Sequence, residues 1–218
     1  MSLRSGTNWL TDISVGGRSL SMLKQTQLFD YEVCLELIGM TEERSQDAMK
    51  LARSWWRDIL DYRISSRSLS PHAPYTVGKP LLEQLVNEFR QAPQSMHLAE
   101  TEEELELLQH RTGPLRSFLE ELGAWHPQHL FQSIDEVLEV LSRFEFTKLI
   151  HCNYLTRHQW QRLPKLCTVV YCPRTHAYFA HSPHPYLLMM KDGVSVALGT
   201  DSLASNPDLS ILNECRFL

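Results

Sequence analysis

The sequence predicts an α/β fold, a (β/α)8 TIM-type barrel of which about seven strands are present. Short β-branched and apolar runs alternate with helical periodicities along the chain, which implies a mainly parallel sheet. An open doubly wound sheet and a barrel both fit that strand count, so the polar residues decide between them. His72, His97, Glu100, His151 and Asp201 each fall at or just after the C-terminal end of a predicted strand. Strand ends converging on one face are the barrel pattern, and one strand of eight is then missing. The stretch Gly193–Asn206, GVSVALGTDSLASN, shows the pattern most clearly: a strand, a Gly-Thr-Asp turn, and the Asp201 carboxylate delivered at its end.

Taken in order, Asn8–Ser14 is the first predicted strand, and Ser19–Phe29 has helical spacing. Tyr31–Gly39, rich in Val, Leu and Ile, is the second strand; Glu36 within it calls for a partner inside the barrel. Thr41–Tyr62 is a long helix whose apolar stripe, Met49, Trp55, Trp56 and Leu60, belongs to a core and not to a cofactor contact. Arg63–Ser70 is the third strand, Lys79–Ala92 a helix and Gln94–Leu98 the fourth strand. The capping-box pattern Thr101-Glu102-Glu103-Glu104 opens the next helix. Pro114–Glu121 and Ser133–Phe144 are helical, the second with a Ser133…Glu136 box, and the linker Gly123–His129 joins them. Thr147–Cys152 is the fifth strand, Thr156–Leu163 a short helix, Cys167–Cys172 the sixth strand. The segment after it, with His176, Tyr178, Phe179 and His181, reads as a loop, His184–Lys191 as a helical turn or two, and Val194–Leu198 as the seventh strand. Asn206-Pro207-Asp208 supplies an N-cap, a proline at the first helical position and an acidic first turn for a last helix, which leaves Asp201 free of capping duty.

Composition narrows the function classes. With 218 residues and ordinary hydrophobic content, one large domain is expected over two. A net charge of −5 without a basic run gives no support for nucleic-acid or acidic-membrane partners. Five cysteines, an odd number with no CxxC pair, read as scattered reduced thiols. No signal peptide or long apolar run is visible, and a cytoplasmic location is expected. Met1-Ser2-Leu3 reads as an expression remnant.

Five ordered runs carry a resemblance: SPHAPYT (Ser70–Thr76), HLAET (His97–Thr101), LIHCNYL (Leu149–Leu155), YCPRTHAYF (Tyr171–Phe179) and LGTDSLASN (Leu198–Asn206). Together they resemble the amidohydrolase superfamily, and within it the cytosine deaminase-like branch that includes the triazine chlorohydrolases and the adenosine-type nucleoside deaminases. The resemblance implies a partial metal-dependent amidohydrolase barrel domain over residues 1–218. It implies that His97 and Asp201 bind metal and that Asp201 also accepts a proton from the attacking water. Glu100, in the HxxE arrangement, matches the proton shuttle, His151 the residue that positions the nucleophile, and His72 a substrate contact. One divalent ion is expected, zinc or iron, because the strand ending at His72 offers no Lys or Glu to bridge a second.

The same resemblance exposes a departure. The family's first strand ends in His-x-His, and no His-x-His occurs in this sequence. The segment RSGTNWLTDIS resembles the lead into the family's second strand, so the chain is expected to begin there, to end in the helix after the eighth strand, and to lack the family's flanking β-sandwich. Two protein ligands alone hold zinc weakly, since catalytic sites use at least three.

Each candidate also has a plain reading. His97 and Glu100 alone could be a surface histidine and a carboxylate favoured by the helix dipole. Cys152 reads as a small buried residue, and His72 as a turn stabiliser. His176, His181 and His184 cluster after the sixth strand, where barrel loops line the pocket, so His176 is a candidate substrate contact. Arg174, the cation of that loop, is either a substrate contact or one half of a salt bridge. Two function classes stay open at this stage: a metal hydrolase that cleaves a C–N bond of a heterocycle, by deamination or a chlorohydrolase-type displacement, and a non-catalytic truncated barrel that has lost its metal site. The first takes a small heterocyclic substrate. A barrel left open between strands has edges that favour association with a second copy.

Overall fold

In the computed structural model, residues 5–25, 30–57 and 67–218 are described. Seven strands form one sheet: β1 (Trp9–Val15), β2 (Asp30–Leu37), β3 (Arg67–Pro71), β4 (Gln94–Leu98), β5 (Thr147–His151), β6 (Cys167–Tyr171) and β7 (Ser195–Leu198). Each strand pairs in parallel with its predecessor, so spatial order equals chain order. This is the curled, incomplete barrel that the strand count and polar ends predict. The expected β4 is reproduced at both ends. The first four residues assigned to the third strand, the tail of Ser19–Phe29, Leu60 with its flanking residues, and Met1-Ser2-Leu3 lie outside the described residues.

Helices between strands cover the outer face: α1 (Ser19–Leu23), α2 (Glu42–Arg57), α3 (Lys79–Phe89), α4 (Glu102–His110), α5 (Pro114–Glu121), α6 (Ile134–Leu141), α7 (Arg157–Trp160), α8 (Pro173–Tyr178), α9 (Tyr186–Lys191) and α10 (Ile211–Phe217). Strand residues that point outward, such as Leu35, Leu69, Met96, Leu149 and Val169, are fully buried against Met49, Leu81, Leu85, Leu107 and Leu141 of those helices. At about 1.5–3 kcal/mol for each such side chain, this layer fixes which face of every strand looks inward. Trp55 and Trp56 pack on the core edge, as their spacing predicts. The Trp55 indole also donates to Ser68 O at 3.1 Å and lies under the Arg67 guanidinium.

Most helices are shorter than expected by one to three residues at an end, and two depart further. Pro173–Tyr178 is helical, although its residues read as a loop; Pro173 occupies the first turn, where its missing N–H costs nothing. The last helix begins at Ile211, capped by Ser210, whose Oγ accepts from Asn213 N at 3.3 Å. Asn206 and Asp208 therefore do not cap it, because their side chains serve other partners described below.

The concave face is polar low in the barrel. Lys148 of β5 donates to Glu32 of β2, which also accepts from Thr11 Oγ1 at 3.3 Å. The interior partner expected for Glu36 thus belongs to Glu32, four residues earlier on the same face. Two further strands separate β2 from β5. In a flat sheet the pair would stand about 14 Å apart, so the contact requires curvature.

The β2 end is stapled to the loop that carries His72. Gly39 N donates to Thr76 O at 2.9 Å, and Gly39 O accepts from Gly78 N at 3.1 Å and from Ser45 Oγ at 3.1 Å. A Cβ at Gly39 would stand 2.7 Å from Leu81 Cδ2 and 3.0 Å from Ser45 Cα. Since that backbone cannot yield without breaking the staple, Gly39→Ala is expected to destabilise by about 1–3 kcal/mol. Urea denaturation measures it, and an unchanged midpoint would mean the β2–α2 turn is looser than described.

Candidate functional site

The C-terminal strand ends bring three of the expected residues together. His97 is on the concave side of β4, His151 ends β5, and Glu100 stands in the turn after β4. One ligand atom from each lies within 4.8 Å of the other two. The His97 and His151 rings stack with centroids 5.3 Å apart, and His72 lies 5.1 Å from His97 on the other side. His151 Nε2 is 3.4 Å from Glu100 Oε1. His97 Nδ1 is buried and has no hydrogen-bond partner, a costly condition for a polar atom unless something else satisfies it. Two imidazoles and a carboxylate are the donor types that suit zinc, and three is the usual number of protein ligands at a catalytic ion.

Backbone geometry marks the same place. Ala99, His151, Cys152 and Asp201 have φ of 48°, 70°, 57° and 53°. Left-handed backbone at non-glycine residues costs about 1–3 kcal/mol each and collects where a site demands it. The turns are tied together: Cys152 N donates to Leu98 O at 2.9 Å, Tyr154 N to Ala99 O at 3.1 Å, and His97 N to His72 O at 2.8 Å.

Burial dominates the electrostatics. It lowers His97 to about 3, helped by His151 and His72 and opposed by Asp201. His151 is also lowered to about 3, by burial and then by His181, His184, His176 and His72. Burial lowers His72 as well, against the nearby Glu36. All three imidazoles are thus neutral at physiological pH, the form that can ligate a cation. Glu100 is pushed up to about 7 by burial and then by the Asp201 charge. Asp201 is therefore within electrostatic reach of both His97 and Glu100, although it is not in the three-residue cluster.

The remaining candidates find other partners. His72 bonds Thr76 Oγ1 at 2.7 Å, which serves its own turn while keeping the ring beside His97. His176 is buried, with Nδ1 3.1 Å from Asn153 Oδ1. His184 Nε2 donates to His151 O at 2.8 Å, and His181 Nδ1 meets the Tyr154 hydroxyl at 3.0 Å. The loop histidines thus pack beside the β5 end, His184 directly on His151 O. Arg174 takes the salt-bridge alternative. Its Nε donates to Glu214 Oε1 at 2.7 Å and its Nη2 to Asp208 Oδ1 at 2.6 Å, with its side chain 13% exposed. Its Nε and Nη2 edge is thus engaged within the chain. Cys152 is fully buried with its thiol raised, as a small core residue should be.

Arg174 belongs to a clamp on the Asp201 loop. Glu214, fully buried on α10, also accepts from Arg174 N at 3.0 Å and from Asn206 Nδ2 at 2.6 Å, and Asn206 Nδ2 donates to Thr200 O at 2.7 Å. Ser205 Oγ donates to Asp201 Oδ2 at 3.1 Å. Sequence reasoning missed Glu214 and Asn153. Asn153 lies within LIHCNYL, but nothing local distinguishes it.

A family model described as "Amidohydrolase family" matches residues 9–218. A 5-methylthioadenosine/S-adenosylhomocysteine deaminase of Halobacterium salinarum is 32% identical over 177 residues, which are 79% of this chain and 36% of that protein. Among solved structures, aminofutalosine deaminase of Helicobacter pylori, in complex with methylthio-coformycin, shares the fold with a TM-score of 0.84 at 23% identity, over 99% of this chain and 54% of that one. A variant of atrazine chlorohydrolase from Arthrobacter aurescens, complexed with zinc and atraton, superposes with a TM-score of 0.69 at 12% identity, over 98% of this chain and 49% of that one. The chain thus spans about a third to a half of the length of these proteins.

The clamp carries a pH signature. Hydrogen bonding from Arg174 lowers Asp208 to about 2, below the roughly 3.9 of an unfolded aspartate. A depressed carboxyl stabilises the fold above its unfolded pKa, and that contribution fades as pH falls through the folded one. The gap in urea midpoint between the natural chain and Asp208→Asn should be constant above about pH 5 and close towards pH 2. A gap of equal size at both ends would refute the ion pair as its source.

Proposed function

This chain belongs to the amidohydrolase family, and on that premise we propose that its site is that of a metal-dependent hydrolase of C–N bonds in a heterocycle, a deaminase of aminopurine nucleosides. The observation that carries this reading is the convergence of His97, Glu100 and His151 donor atoms within 4.8 Å of one another, beside an unpartnered buried His97 Nδ1. The relatives named as deaminases of 5-methylthioadenosine and S-adenosylhomocysteine support an adenosine-type substrate.

In this reading His97 and Asp201 hold one divalent ion, zinc in preference to iron, as in the zinc-bound neighbour. The ion supplies Lewis acidity, which brings the pKa of an attacking water towards about 7. Asp201 accepts the proton of that water, steadied by Ser205 on its Oδ2. Half-buried Glu100, poised to exchange a proton near neutrality, delivers one to the ring nitrogen and then to the departing amine. His151 orients the nucleophile, and His72, next to His97, faces the substrate. The amidine carbon gains a C–O bond and loses its C–N bond, water is consumed, and ammonia leaves. In this scheme Arg174 braces the Asp201 loop through Asp208 and Glu214, and His176 acts through Asn153.

The unpaired state of all five cysteines supports a cytoplasmic setting. No helix among the described residues is long and apolar enough to cross a membrane. The outer edges of β1 and β7 support association with a second copy. One observation favours the second reading, a barrel wall without an ion: no His-x-His occurs in the sequence.

Elemental analysis after dialysis separates the two. Near one zinc per chain, lost in Asp201→Ala, would support the metal-dependent reading; no zinc in either sample would favour the ion-free one. Glu100→Gln should then keep its zinc and lose about 100-fold or more in nucleoside turnover, the usual scale for acid–base work. Loss of zinc with Glu100→Gln would make Glu100 a ligand and not the shuttle.

A further inference from the structure

Glu104 is the third residue of α4 and is completely buried, yet no step above uses it. The capping-box pattern predicts that its carboxylate turns back to the N-cap residue, Thr101. Only half of that box forms: Thr101 Oγ1 accepts from Glu104 N at 3.2 Å. The carboxylate reaches past the cap, with Oε1 accepting from Ala99 N at 3.0 Å and Oε2 from Glu100 N at 3.1 Å. One side chain therefore holds two consecutive peptide N–H groups, and the first belongs to the left-handed Ala99 at φ 48°.

The other side of the same turn is held as firmly. Glu100 O accepts from Asn153 Nδ2 at 2.9 Å, and Asn153 Oδ1 meets His176 Nδ1 at 3.1 Å. With its N–H fixed by Glu104 and its C=O by Asn153, the Glu100 backbone has one orientation, and its carboxylate leaves the turn towards His151 and His97. Thr101 already meets the needs of the helix end, so a wholly buried carboxylate is excessive for a cap.

We propose that Glu104 is a positioning residue for Glu100, holding the Ala99–Glu100 backbone in the conformation that aims the proton-transferring carboxylate at the imidazole pair. This rests on the assignment of Glu100 as the acid–base group. A carboxylate is required because it offers two acceptors to two donors. An amide of the same shape offers one acceptor and turns an NH2 towards the second N–H, donor against donor.

The test compares Glu104→Gln, Glu104→Asp and Thr101→Ala in the full 218-residue chain loaded with zinc, with adenosine and 5-methylthioadenosine as probes. Thr101→Ala removes the helix cap and leaves the Glu104 carboxylate in place. Expected is a fall in kcat of about 10- to 100-fold for Glu104→Gln, the scale for groups that act through a neighbour, with KM little changed. Glu104→Asp should recover part of the loss, and Thr101→Ala should lower the thermal midpoint while kcat stays put. Equal kcat in Glu104→Gln and the natural chain, or a kcat loss in Thr101→Ala of the same size, would overturn the proposal. Crystal structures of the natural and Glu104→Gln chains decide it independently of turnover. The proposal expects the Glu100 carboxylate to move off the 3.4 Å approach to His151 Nε2, and a carboxylate still in place would overturn it. A natural chain without turnover counts against the functional reading alone, because the structural comparison still reports on Glu104.

Discussion

Curvature of the parallel sheet is the constraint on which the site depends, and the contact between Glu32 and Lys148 is its clearest witness. The two residues are 116 positions apart and stand on strands separated by two others, so they meet only across a concave face. Burial of the outward side chains under the helices sets which way each strand faces, and the register then carries the inward positions up to one rim. His97, His151 and Asp201 are at that rim because strand polarity, facing and curvature are all decided lower in the barrel.

At the rim, desolvation outweighs pairwise charge. Three imidazoles packed beside one another cannot all be protonated, and burial lowers all of them, His97 and His151 to about 3. The same burial acts in the opposite sense on the carboxyls, raising Glu100 and Glu104 to about 7. For Glu104 the two backbone hydrogen bonds pull the other way and lose to complete burial. Neutral bases beside acids near their midpoint are a combination that hydrolytic sites use. It arises here from placing ordinary residues at strand ends that are closed over by neighbouring turns.

Much of this was legible in the sequence, and what was not shares a physical cause. The strands announced themselves because a buried parallel strand must be apolar on its helix-facing side, a local property. The rim residues could be found because chemistry at a barrel mouth needs polar groups at strand ends, which a one-dimensional reading locates. Arg174 could not be resolved, since its partners are 34 and 40 residues away and only the fold brings them near. The same clamp removed Asn206 and Asp208 from the helix end they resemble locally. In Glu104 the local signal was present, but its target was misjudged by a residue or two, because the turn bends left-handed at Ala99 and brings earlier N–H groups within reach.

Spatial order equal to chain order has a further consequence, for assembly. During synthesis every strand from β2 onward emerges next to a neighbour already made, so the sheet can grow from one edge by single βα units without waiting for distant segments. The exception is Glu32. Its carboxylate enters the concave face with β2 and gains its lysine only when β5 arrives, after two intervening strands. Among the described residues Thr11 is its other side-chain hydrogen-bond partner, so the curve of the sheet and the ion pair are completed by the same strand.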